Sequence, residues 1–230
     1  MRMKRKSPYT DFKSLKKNLE GMTFGEKVDH IWTYYKEVFF VLLLGGIILY
    51  IFAWTIFAPK KEVVFGGALC NVSMKQDCYN YLSESYGNRL GLTGHQVVDI
   101  ASLVFKAPTL ATEVDSSYRQ SMSMISMVEA KTVDFMLLDQ YAMEFYISHE
   151  LYLDLREIFT AAELESWGDK VIKAQPEGGE AYPIAIDITE LPFIQEASGT
   201  QVYIAFAVNT ERPDLCRDFW EYILAWKPSE

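Results

Sequence analysis

The chain has 230 residues, half of them apolar, with 22 Lys and Arg against 31 Asp and Glu and a formal net charge of −9. That length holds one or two domains with a sizeable core, and the acidic balance argues against a nucleic-acid partner because phosphate is repelled. Three cysteines, Cys70, Cys78 and Cys216, lack zinc spacing, and their odd number leaves at least one outside any intrachain disulfide.

In chain order, "TDFKSLKKNLEGM" puts Phe12, Leu15 and Leu19 on one helical face among lysines, with Gly21 ending the run. Such a basic amphipathic helix can rest on anionic lipid or touch a cytoplasmic partner. "TFGE", Thr23 to Glu26, reads as a capping box that opens a second helix. Trp32, Tyr34 and Tyr35 then fall at interface depth, ahead of "VFFVLLLGGIILYIFAWTIFA".

From Val38 to Ala58 no residue is charged. Twenty-one residues at about 1.5 Å each span roughly 31 Å, the thickness of bilayer hydrocarbon, and the segment is apolar on every face. Its start 37 residues into the chain, its length and Pro59 directly after Ala58 argue against a cleaved signal peptide. Residues 1–37 carry nine Lys/Arg against five Asp/Glu, a net of +4, whereas residues 59–230 carry thirteen against twenty-six, a net of −13. Basic flanks stay cytoplasmic, so the expectation is a single-pass cell-membrane protein with residues 1–37 inside, an anchor over 38–58 and an extracytoplasmic domain over 59–230. Outside the membrane, Cys70 and Cys78 could pair or stay as free thiols.

After the short linker "APKKE", "VVFGGALCNV" reads as a strand and "KQDCYNYLSESYGNRLG" as a helix ending at Gly91. "HQVVDIASLVF" reads as a strand, "SSYRQSMSMISMVEAK" as a helix and "VDFMLL" as a buried strand. "AMEFYISHELYLDLREIF" and "TAAELESWGDKVI" both have helical period, "YPIAIDI" and "QVYIAFAVN" are of strand type, and "RPDLCRDFWEYILAW" closes as a helix. Strands alternating with helices predict an α/β domain with a mostly parallel sheet and helices on both faces.

The run "MISMVEAKTVDFMLLDQYAMEFYISHELYLDLREIF", with "YPIAIDIT" and "VYIAFAVNTERPDLCRDFWEYIL", resembles the class II extracellular solute-binding proteins over Met122 to Leu224. That resemblance implies a ligand-binding α/β fold. The outer segment of about 170 residues is short for two lobes and a hinge, so it implies a reduced form, and a membrane helix stands where that family has a lipidated cysteine. The "WTYYK" of Trp32 to Lys36 with one span and such a domain also resembles a group of single-pass membrane proteins of Gram-positive anaerobes, which transfers no mechanism.

For catalysis the outer segment offers His95 and His149 but no "G-x-S-x-G" or "S-x-x-K", so no enzyme is expected. Asp134 and Asp139 could be imagined as an acid/base or cation-binding pair, and Asp139 equally as a helix N-cap. Met122 and Met124 lie about 200° apart on a helix and cannot converge on copper, whereas Met124 with Met127 or Val128 forms a core stripe. Gly-rich pieces lack phosphate-loop spacing. No cofactor or metal is implied.

The expectation is a non-catalytic binding domain for a small solute or peptide. Its candidate cleft lies where "LLDQYAM" and "AIDITELPF" leave the sheet, with Asp139, Gln140, Tyr141, Asp187 and Thr189 as ligand contacts. The alternative is a structural or assembly subunit whose outer domain docks on another membrane or envelope protein. Membrane lipid is a partner in either case.

Overall fold

The computed structural model describes residues 23–57, 61–105, 114–175 and 179–227. The expected basic helix of residues 10–20 lies outside them. The chain divides into two units, Met1–Pro59 and Lys60–Glu230.

The described residues of the first unit form the helix α1 (Phe24–Phe57), which starts directly after Thr23, where the capping sequence places its start. Its stretch Phe39–Phe57 has a mean hydropathy of 2.4 over 19 residues, long and apolar enough to cross a membrane. Trp32 packs against Phe39 and Phe40, with ring centroids 6.2 Å apart in both pairs.

The second unit is an α/β domain around six strands: β1 (Glu62–Cys70), β2 (Gln96–Leu103), β3 (Phe135–Leu138), β4 (Val171–Ala174), β5 (Tyr182–Asp187) and β6 (Tyr203–Phe206), in the order β2-β1-β3-β6-β5-β4. The expected mostly parallel sheet is corrected to a mixed one. Only β1–β2 and β1–β3 are parallel, while β3–β6, β6–β5 and β5–β4 are antiparallel. For β4–β5 the physical reason is connection length: a parallel return needs a crossover of about a dozen residues or more, and only residues 175–181 join these two strands.

Side chains alternate across the sheet and build two cores. On one face, Phe65, Leu69, Phe135, Leu137, Ile204 and Phe206 meet three helices. These are α2 (residues 76–89, widened by a π turn over Tyr81–Ser85), α6 (Pro192–Ala197) and α7 (Pro213–Leu224). Phe65, Phe135 and Phe219 form its centre, with Phe135 and Phe219 centroids 4.0 Å apart. On the other face, Ala68, Cys70, Met136, Leu138 and Ala205 meet α3 (Val114–Glu129) and α4 (Gln140–Ile147) through Met124, Val128, Met143 and Tyr146. Met124 and Val128 are buried together in this core, as the stripe reading requires.

β1 and β3 approach so closely that glycine is needed at Gly66, where a Cβ would sit 1.8 Å from the Thr132 carbonyl oxygen. Beside it lies a polar knot. The Asp134 carboxylate, 1% exposed, accepts from Gly66 N–H at 2.8 Å, the Thr210 hydroxyl at 2.6 Å and the Arg212 guanidinium at 3.0 Å. It ties β1, β3 and the start of α7 together.

Two helix readings are also corrected. The run from Ala142 to Phe159 is α-helical only as far as Ile147, with a single 3-10 turn at Leu155–Glu157. The chain then turns through Glu150 at φ 54°, and Tyr152 pairs antiparallel with Ala207, so Leu151, Tyr152 and Leu153 are buried in succession. Pairing with the sheet outweighs the local period. After Thr160, α5 (Ala161–Trp167) has its capping box with Glu163, but Gly168 at φ 52° ends it, and Val171 onward enters β4. The helix α6 was not legible in the sequence; it starts with Pro192 in its first turn.

Candidate site at the strand ends

β1, β2, β3 and β5 run in one direction and finish at a common edge, with Leu103, Cys70, Leu138, Tyr203 and Asp187 in register along it. Residues just past this row project where loops replace the sheet.

Asn71 organises the edge. Its backbone takes the left-handed conformation at φ 61°, its N–H donates to Leu103 O at 2.8 Å, and its side-chain oxygen accepts from Phe105 N–H at 2.8 Å. Its amide nitrogen donates to Asp139 Oδ1 at 3.2 Å. The same Asp139 oxygen accepts from Ala142 N–H at 2.8 Å. Asp139 is therefore the N-cap of α4, and this role coexists with a place in the wall of a depression.

That depression has a volume of about 500 Å³ and is lined by Asn71, Asp139, Gln140, Tyr141, Glu144, Thr200 and Gln201. Gln140 donates to Glu144 at 2.8 Å, one helical turn along α4. Gln201 donates to the Tyr203 hydroxyl at 2.7 Å. Burial pushes the Tyr203 phenol above its ordinary value, and the carboxylates of Asp187 and Glu144 add to that rise, so both reach it electrostatically from different elements.

Of the five residues expected at a cleft, Asp139, Gln140 and Tyr141 line this depression. Asp187 and Thr189 do not. Asp187 accepts from Thr189 N–H at 2.9 Å, and Thr189 Oγ1 accepts from Val202 N–H at 3.1 Å, so the two close the turn after β5. Asp134 and Asp139 stand at opposite ends of β3, five residue steps or about 16 Å apart, too far for an acid/base pair. Asn71, Glu144, Thr200 and Gln201 were missed. Glu144 was the accessible one, because it follows Gln140 by four positions on the same helix face.

Two further depressions, of about 470 and 460 Å³, flank the outer strands β2 and β4. Neither lies where the strands end together. Among the described residues no three His, Cys, Asp or Glu side chains are grouped to hold a metal ion. His149 is exposed, with its Nδ1 beside Phe145 O and Ser148 Oγ.

No protein family, curated protein or solved structure matches the chain. The geometry of the domain therefore carries the functional argument.

Proposed function

We propose that the chain is a membrane-anchored binding protein, with residues 1–37 cytoplasmic and an outer domain of reduced solute-binding type that takes a small solute or short peptide without turning it over. The observation that carries this reading is the depression at the strand ends. There a helix start, a strand end and the lead-in to a third strand bring two carboxylates, three amides, a hydroxyl and a phenol around one open volume. The apolar stretch of α1 and the charge difference across it support the anchor and its direction.

The test is thermal unfolding of the full-length chain, in nonionic polyoxyethylene-ether micelles, against sugars, amino acids, short peptides and amines. A ligand at a hundred times its Kd adds about 2.7 kcal/mol, which moves the Tm of a domain this size by about 5 to 10 °C. Gln201→Ala and Tyr141→Ala should abolish the shift. A flat panel from folded protein overturns the reading.

A docking role for the same region draws on a separate observation. Tyr141 and Phe145 of α4 and His149 just past its end form an aromatic stripe, in which Tyr141 is 37% exposed. Crosslinking from Phe145 in native membranes to one defined protein would favour that role.

A further inference from the structure

The charge of the depression narrows its ligand class, an inference that rests on the binding reading above. Among the described residues, Asp139 and Glu144 line it and no Lys or Arg does. Among the described residues, neither carboxylate belongs to an ion pair, in contrast to Asp134, Asp154, Glu163 and Asp218, each of which has an arginine. Asp187 is likewise without a cation and acts on the same Tyr203 phenol as Glu144. An anionic solute would meet uncompensated like charge here.

A hard metal ion fits poorly, since it takes six or more oxygen ligands and among the described residues no three His, Cys, Asp or Glu side chains are grouped to supply them. An alkylammonium group needs less. Its N–H donors match a carboxylate and a side-chain amide oxygen, and its stem can lie on an aromatic face. The wall offers both, with Glu144 and Gln201 as polar groups and the Tyr141 ring, 37% exposed, among its lining. Phe105 and Phe145 back Tyr141 at 6.1 and 6.4 Å between centroids.

We propose that the depression binds an organic cation, a primary alkylamine or diamine, held by Glu144 and Asp139 against Tyr141.

The experiment titrates full-length protein, in polyoxyethylene-ether micelles and amine-free phosphate buffer, with putrescine, choline, glucose and glutamate, reading thermal shift and calorimetric Kd. Putrescine should bind, more tightly than choline, which lacks N–H donors. Its Kd should weaken as salt rises from about 0.05 to about 0.5 M. Glu144→Gln and Asp139→Asn should each weaken it by about tenfold, the second while keeping a competent N-cap. Circular dichroism of both variants should match the parent.

Binding of glucose or glutamate with putrescine inert overturns the cation proposal and leaves the binding reading standing. No binding by any of the four, nor by the wider panel, removes both. Putrescine binding with an unchanged Kd in both variants places the amine elsewhere and also overturns the proposal.

Discussion

Tyr81 and Tyr222 hold each other reciprocally: their rings stack at 4.4 Å between centroids and 12° between planes, and each hydroxyl donates to the other residue's carbonyl oxygen, at 3.2 and 3.4 Å. The pair joins α2 to α7 where α2 widens into its π turn, in which Tyr86 N–H donates to Tyr81 O. Tyr222→Phe removes the shorter bond and should cost about 1 kcal/mol, or about 2 to 4 °C in Tm. A double-mutant cycle with Tyr81→Phe should show coupling, because each change disturbs the same stack. Additive losses would mean that the two bonds act independently.

The Asp134 knot should be the most sensitive polar point of the domain. Asp134→Ala leaves Gly66 N–H, the Thr210 hydroxyl and Arg212 without their acceptor, and breaking a buried pair of this kind costs about 3 to 5 kcal/mol. Urea unfolding followed by tryptophan fluorescence should show the midpoint falling accordingly. An unchanged midpoint would show that the knot adds no net stability.

Acid should weaken the contact between α5 and α7. Arg217 beside Glu163, with the Thr160 cap, holds that carboxyl at about 2, well below its ordinary 4.5. A carboxyl depressed in the folded state stabilises above its unfolded value and loses that contribution as pH falls from about 4.5 to about 2. Arg156 beside Asp154 and Arg89 beside Asp218 lower those carboxyls in the same direction. Measured between pH 2 and 6, the Tm of Glu163→Gln should therefore fall less steeply than that of the parent. Parallel curves would remove Glu163 from the acid response.

The cysteines should behave as three buried thiols. Cys70 and Cys78 sit in the cores on opposite faces of the sheet, so no disulfide joins them. Burial pushes the Cys70 and Cys216 thiols up to about 12, with Asp139 and Asp134 respectively adding to the rise, and burial raises Cys78 as well. A thiol reagent at pH 8 should be nearly inert to the folded chain and titrate three groups in denaturant without reductant. Titration of a single group in denaturant would reveal a disulfide.

Much of the domain was legible because burial repeats locally. Phe65, Leu69 and Ala68 alternate along β1, and Met124 with Val128 marks the inner side of α3, so element type followed from spacing. The candidate site was legible only in the contiguous piece Asp139, Gln140 and Tyr141, which follows a recognisable buried strand. Asn71, Thr200 and Gln201 join that piece across about sixty residues or more in either direction, a relation that no short-range pattern encodes.

The apolar run of α1, the helices α2, α3 and α7, and strands β1, β3 and β5 were determined by the sequence itself, because their periodicity and breakers act over a few residues. Tertiary structure alone decided which strand lies beside which, that Tyr152 leaves a helical pattern to pair with Ala207, and that Asp134 serves a structural knot while Asp139 faces an open depression. The physical reason is that a strand or a buried carboxylate is completed by partners distant in the chain, and their free energy exceeds the few tenths of a kcal/mol by which local propensity separates the alternatives.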